Sequence, residues 1–383
     1  MKKTLVAVAA LAFVGAASAQ SSVTLYGKID WTIVNATQST SGAKTAGGNV
    51  GLQVNSAGLS GSRWGMKGAE DLGGGMKAIF DLQSGFAVDT GASAQGGLLF
   101  GRQAYAGLSG GFGTFTAGRQ YSPLDTVWGT YDGQGYTTNS AMSYAWNGSL
   151  TGTRGIHAEP GRINNSLLYQ TPAMGGFQGQ LMYAPGENKS SAAATGSQSA
   201  GSYTGFLLGY ANGPIGVHLG YENIKTTGPG VAAVPAGFTS SVATGALVIT
   251  PTAAVAAKAP TSTSVRDWTL GASYDLGVAK VYGGYQRATA TGGSDDTGWM
   301  LGVGMPIGAM SLNVGYARES NNVTGLAVDG KNSAFGAQLV YALSKRTNVY
   351  ADFLSGKSRA AAAAGGAPTT KNNIYGVGMR HDF

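Results

Sequence analysis

Cysteine is absent from the 383 residues. That excludes a disulfide framework and thiol chemistry. Charge is scarce: Asp, Glu, Lys and Arg make up 11% of the chain, under half the usual ~25%. An ordinary soluble surface needs more. No stretch approaches ~18 consecutive apolar residues, so no transmembrane helix is expected. No Walker or G-x-G-x-x-G phosphate loop occurs. The three histidines, His157, His218 and His381, are far apart and none sits in a zinc-spaced cluster. Catalysis, a metal centre and a cofactor are therefore not expected. The pI of about 9.4 does not suggest nucleic acid, because the basic residues are dispersed.

Glycine, by contrast, is abundant: 64 residues, far above the usual ~7%. Residues 1–19 read as a secretory signal peptide. Lys2 and Lys3 form the positive region, Leu5 to Ala16 the apolar one, and Ala17-Ser18-Ala19 the cleavage site. The mature chain should begin at Gln20, and losing the two lysines takes the formal charge from +7 to +5.

The mature chain alternates. Val23, Leu25, Ile29 and Trp31 face one way; Thr24, Tyr26, Lys28 and Asp30 face the other. Period two marks a strand with two unlike faces. The pattern recurs along the chain, giving about sixteen strands. Alternate connections are short and rich in Gly, Pro and Asn, as at Leu72-Gly73-Gly74-Gly75, or long, as at 122–161 and 226–264. An all-β, closed antiparallel transmembrane barrel satisfies this pattern, with short turns on one rim and long loops on the other. Closure also removes edges that lipid could not hydrogen-bond. Aromatic pairs such as Trp268 and Tyr274, or Phe335 and Tyr341, would sit near the margins of the apolar band. Within loop 226–264, Phe238–Thr250 reads as a candidate extra hairpin.

Five motifs in register then carry a resemblance. They are Val23-Thr24-Leu25-Tyr26-Gly27-Lys28, the run Arg63-Trp64-Gly65-Met66-Lys67-Gly68-Ala69-Glu70-Asp71-Leu72-Gly73, Tyr105-Ala106-Gly107-Leu108, Gly118-Arg119-Gln120-Tyr121 and the terminal His381-Asp382-Phe383. The mature chain resembles the Gram-negative general porins, and within them the branch found in beta-proteobacteria. The resemblance implies an outer-membrane homotrimer surrounded by lipid and lipopolysaccharide. Its third long loop, 122–161, would fold inward to constrict the pore. It implies a basic ladder of Lys28, Arg63, Arg119 and Arg162, with Lys67 and Arg102 nearby. Asp125 and Asp132 are placed opposite by position, because the Pro-Glu-Phe-Gly turn of many members is absent between Tyr121 and Arg162. Phe383 would be read by the outer-membrane assembly machinery.

Parity supports an inward-facing Lys28, Arg63 and Lys67, since a cation facing lipid at mid-depth costs about 2–4 kcal/mol. Arg162 shares parity with Asn164 and Ser166, opposite Ile163. Arg119 shares parity with the outward Phe115 and Ala117, and needs a bulge or a position above the lipid to reach the pore. The expected function is passive diffusion of ions and small hydrophilic solutes, weakly anion-selective. The alternative is a substrate-specific channel in which Trp128 and Tyr131, with Tyr136, Tyr144 and Trp146, line the constriction as a stacking track.

Overall fold

The computed structural model describes residues 22–41, 49–147, 161–186, 202–228, 237–243, 246–252, 261–363 and 367–383. The expected signal peptide lies outside them, as do residues 229–236, 244–245 and 253–260 of loop 226–264. Among the described residues no helix is long and apolar enough to cross a membrane. The chain instead forms strands: β1 (Ser22–Thr40), β2 (Asn49–Ser56), β3 (Arg63–Gly73), β4 (Met76–Gly85), β5 (Gln103–Gly110) and β6 (Gly113–Tyr121) precede the long loop. After it come β7 (Arg162–Gln170), β8 (Phe177–Ala184), β9 (Ser202–Asn212) and β10 (Ile215–Gly228). Strands β11 (Gly237–Ala243) and β12 (Ala246–Thr252) pair only with each other, as the extra hairpin. The wall resumes with β13 (Thr261–Asp275), β14 (Lys280–Ala290), β15 (Ser294–Ile307), β16 (Met310–Val323), β17 (Gly330–Ala342), β18 (Thr347–Arg359) and β19 (Thr369–Asp382).

Every wall strand pairs antiparallel with its neighbours, and β19 returns to β1, so the sheet closes. Seventeen segments share this sheet. Strand β3 pairs with the first part of β1 and β2 with the second. They are one strand, broken at residues 57–62, and the barrel therefore has sixteen. Asp30 holds the break together. Its carboxylate accepts from the backbone N–H groups of Gly58, Leu59 and Ser60 at 3.1, 3.0 and 2.7 Å, and from the Tyr350 hydroxyl at 2.7 Å. The short turn after β3 uses Gly73, Gly74 and Gly75, all at positive φ, where a side chain would be strained.

The two faces differ as the alternation requires. Val23, Leu25, Leu208, Trp268, Leu301 and Phe335 are exposed on the outer face. Aromatic pairs run across it, among them Trp268–Tyr285, Trp299–Tyr316 and Phe353–Tyr375. The inner face carries Asp30, Gln83, Thr116, Glu222, Thr269 and Gln338, all buried.

The long loop is not structureless. Residues Pro123–Tyr131 form helix α1 and Ala141–Asn147 form helix α2. Period reading along the loop misses α1, whose signals are at its start. Ser122 is the N-cap, its hydroxyl accepting from Asp125 N–H at 3.1 Å, and Pro123 occupies the first turn. Both fit an N-terminus, where free N–H groups need acceptors and proline loses nothing.

Candidate functional site

The loop lies against the inner face. Helix α1 packs on β9, β10 and β13, and α2 on β16, β17 and β18. The apolar core is formed mainly there: Leu124, Val127, Trp128, Tyr131, Met142, Tyr144 and Trp146 pack with Leu207, Met300 and Leu354 from the wall. Trp128 Nε1 donates to Thr269 Oγ1 at 3.3 Å, Trp146 Nε1 to the Arg318 carbonyl at 3.3 Å, and Asn372 to the Tyr144 hydroxyl at 2.9 Å.

Inner-face glycines make this fit possible. A Cβ at Gly271 would lie 2.3 Å from the Tyr131 ring, one at Gly356 2.3 Å from Tyr144, and one at Gly220 2.8 Å from Leu124. Gly315 and Gly336 likewise leave room for Gln134, and Gly302 for the Gly133 backbone. The sequence shows the glycines, but only pairing register reveals that they form a continuous footprint on one face.

The loop's two ends meet at its base, where Ser122 N–H donates to the Gly161 carbonyl at 3.0 Å. Three arginines gather near that junction. Arg102 Nη2 and Arg162 Nη2 both donate to the Tyr121 hydroxyl, at 2.7 and 2.5 Å. The Arg162 guanidinium also stacks over the Tyr121 ring, 4.4 Å from its centroid. Arg102 Nε donates to Gln83 Oε1 at 2.8 Å. Arg63 donates to the Gly61 carbonyl at 3.0 Å and lies close enough for its charge to act on Arg102. Burial first, then the neighbouring Arg63 and Arg162, brings Arg102 down to about 10. It stays charged at neutral pH. Tyr121, which joins two of the arginines, was visible in the sequence only as part of a motif.

Lys28 pairs with Arg63 in register and lies 3.7 Å from Asp382. Lys67 is farther along the same face, over the Tyr26 ring at 5.1 Å and opposite Asp81. Arg119 stands apart. Its Nε donates to the Gly101 carbonyl at 2.8 Å and its Nη1 to Asn164 Oδ1 at 2.6 Å.

A bulge lies beside Arg119 and shifts the register at the start of β7. Between Gly118 and Gln120 the β6–β7 register shifts, with Gly118 opposite Ser166 but Gln120 opposite Ile163. Gly118 and Asn165 both have positive φ. The extra residue turns Ile163 onto the inner-face cluster of Met182, Tyr203 and Ile224. Arg162 is thereby set beside Tyr121.

Asp125 is buried in the first turn of α1. Its Oδ1 accepts from the Tyr136 hydroxyl at 3.1 Å, and a Cβ on Gly161 would lie 2.0 Å from the same oxygen. Burial pushes its carboxyl up to about 6 against the opposing pull of Arg162 and Arg102. Asp132 has a different setting. It accepts from the backbone N–H groups of Gln134 and Tyr136, at 3.0 and 3.1 Å, and ties the turn between the helices. Burial raises its carboxyl too.

Phe383 lies at the closing seam. Its backbone exchanges hydrogen bonds of 3.0 and 3.1 Å with Gly27, and a Cβ on Gly27 would meet its ring at 2.5 Å. Among the described residues no group of three or more potential ligands is arranged to hold a metal ion.

A family model for Gram-negative porins matches residues 5–361. An outer membrane porin protein of Bordetella pertussis is 32% identical over 431 residues, spanning 100% of both chains. Outer membrane porin protein 32 of Delftia acidovorans is 32% identical over 404 residues, again spanning 100% of both. Among solved structures, an anion-selective porin from Comamonas acidovorans superposes with a TM-score of 0.70 at 28% identity, covering 95% of this chain and 100% of that one. This chain belongs to the Gram-negative porin family, and its closed sixteen-stranded wall is a diffusion channel of the outer membrane.

Proposed function

We propose that loop 122–161 narrows the channel and that the arginines at its base give it a weak preference for anions. One observation carries this reading: Arg102 and Arg162 converge on Tyr121, with Arg63 close by, while the nearest loop carboxylate, Asp125, is buried and only weakly acidic. A cluster of one sign within low-dielectric walls focuses the field along the pore. The 28% identical solved structure is of an anion-selective porin, which supports the same sign. Lys28 and Lys67 extend the basic face away from the loop junction. Arg119 contributes less, because Gly101 and Asn164 hold its guanidinium.

The stacking-track alternative is less well supported. Trp128, Tyr131, Tyr144 and Trp146 are all at most 2% exposed, so they anchor the loop to the wall and offer no face to a solute. In the same reading residues 1–19 are removed on export, the mature protein assembles as a homotrimer in lipid, and Phe383 is the residue that the assembly machinery reads.

Reversal potentials in a KCl gradient test the filter. Arg102→Glu with Arg162→Glu should move the potential toward cation selectivity, and Arg119→Glu alone should move it far less. An unchanged potential in the double variant would remove the arginine cluster from the mechanism. A conductance blocked by one particular solute in a saturable way would favour the substrate-specific reading.

A further inference from the structure

The turn between α1 and α2 borders a second space in the bore, away from the arginines. A cavity of about 360 Å³ lies between that turn and the wall strands β14, β16, β17 and β19, with Leu59 from the break at residues 57–62 also lining it. It is on the short-turn side of the loop. Of its lining residues, Tyr282 is the third of β14, Asn313 the fourth of β16 and Val340 the third from the end of β17. In the closed sheet β16 and β17 stand roughly opposite β5 to β7, near which Arg102 and Arg162 meet.

Unmade hydrogen bonds gather at this cavity. Gln338 is 3% exposed. Its Oε1 accepts from Asn313 Nδ2 at 3.5 Å, which leaves Nε2 a buried donor without a partner. Thr137, 4% exposed, has a hydroxyl that is likewise buried and unpartnered. Arg380 Nε makes no hydrogen bond either. All three side chains line the cavity. Buried polar atoms are nearly always paired, so several orphans at one cavity point to something that fills it. The charges in the lining, by contrast, are already met. Arg380 Nε lies 3.6 Å from Asp382 Oδ1. The Asp132 carboxylate accepts from the N–H groups of Gln134 and Tyr136. Lys280 sits over the Tyr282 ring, 5.3 Å from its centroid, outside the lining.

We propose that this cavity is a binding station for small neutral polyhydroxylated solutes of about monosaccharide size. Three features select that class. Its free groups are uncharged amides and hydroxyls, and each hydroxyl of a polyol can both give and accept. The Gln338 Nε2 donor needs an acceptor, and the Thr137 hydroxyl can take either role. The Tyr282 ring, Leu59 and Val340 supply apolar surface for the C–H groups of such a solute. The volume is at the small end of the ~300–1,000 Å³ typical of ligand pockets. An anion would need a cation free of a partner, and a cation a free carboxylate. Among the described lining residues, Arg380 and Asp132 are the charged ones, and both are engaged. The station stands apart from the arginine filter, so the bore handles neutral solutes on one side and anions on the other.

The test uses the full-length channel in planar bilayers, with KCl on both sides and glucose or galactose as the probe. Each sugar should lower the wild-type current saturably, beyond the linear loss that viscosity causes, and the two should do so at comparable concentrations. Gln338→Leu and Thr137→Val should each raise the half-blocking concentration about fivefold, as loss of one hydrogen bond does. Thr137→Val keeps the side chain's shape and reads the site even if Gln338→Leu fails to assemble. Gln170→Leu, at a lumen glutamine of β7 across the bore, should block as wild type. A purely linear loss of current in wild type means that water alone fills the cavity, and overturns the proposal. Block that neither cavity variant weakens, or that Gln170→Leu weakens as much, also overturns it by placing the sugar elsewhere. Block by only one of the two sugars overturns it in favour of a substrate-specific channel. Glucuronate, the same ring with a carboxylate, should respond to Thr137→Val less than glucose does; the reverse assigns the cavity to anions and refutes the neutral class. Reversal potentials in KCl alone test the arginine filter separately, so failure of either reading leaves the other standing.

Discussion

Asp125 should make the selectivity of the channel depend on pH. Its carboxyl is held up to about 6 by burial in the first turn of α1, and α1 is not one of the spanning strands. The charge is present above that value and is lost as pH falls through it. Between pH 7 and pH 5 the ionised fraction drops from about 90% to about 10%, removing about 0.8 of a negative charge. At a distance of about 7 Å in water, one unit charge changes an ion's energy by about 0.6 kcal/mol, with opposite signs for anion and cation. Salt at 0.1 M roughly halves this. The anion-to-cation permeability ratio should therefore rise roughly twofold on acidification at 0.1 M salt, and about fourfold at 0.01 M, where the Debye length is about 30 Å. Reversal potentials measured across planar bilayers from pH 7.5 to 4.5 would trace the step, with a midpoint near 6. Asp125→Asn should remove the step and hold the ratio at its acidic value. A step that survives in that variant, or a midpoint near 4 in wild type, would refute the buried carboxyl as its source.

Gly271→Ala places a Cβ 2.3 Å from the Tyr131 ring, against ordinary carbon contacts of about 3.5–4.0 Å. The ring and α1 must yield by more than about 1 Å, at a cost of about 1–3 kcal/mol. The thermal transition should fall, while Gly283→Ala, where the nearest atom is 3.7 Å away, should leave it in place. Asp30→Ala removes the acceptor shared by three backbone N–H groups and Tyr350, each buried donor costing about 1–3 kcal/mol when left unpaired. Limited proteolysis should then cut within residues 57–62. A variant as resistant as wild type would show that another contact holds the break.

Alternation made the wall legible because each strand has lipid on one side and polar groups on the other. Lys28, Arg63 and Lys67 fall on the inner face as their parity requires. The same arithmetic fails at Ile163, because one extra residue at the Asn164–Asn165 bulge shifts the register beyond it, while Arg162 still meets Arg102 at Tyr121. The loop helices escaped for a different reason. Their apolar residues meet wall strands far away in sequence, so they are set by tertiary partners more than by a long amphipathic period. Asp132 carries the residue type of a filter acid, yet its two backbone acceptances make it a turn-former. Composition reported the glycines, but only register shows which of them lie beneath Tyr131, Gln134 and Tyr144.

The glycine footprint also bears on the order of assembly. The strands that α1 and α2 chiefly rest on are β9, β10, β13, β16, β17 and β18. Those strands follow the loop in the chain, so its seat does not exist when the loop itself is first threaded. The loop must wait, folded back on nothing, until most of the circumference has been laid down. Seating of the loop is thus a late event in building this channel, and a barrel arrested before β16 is also one whose α2 has no seat.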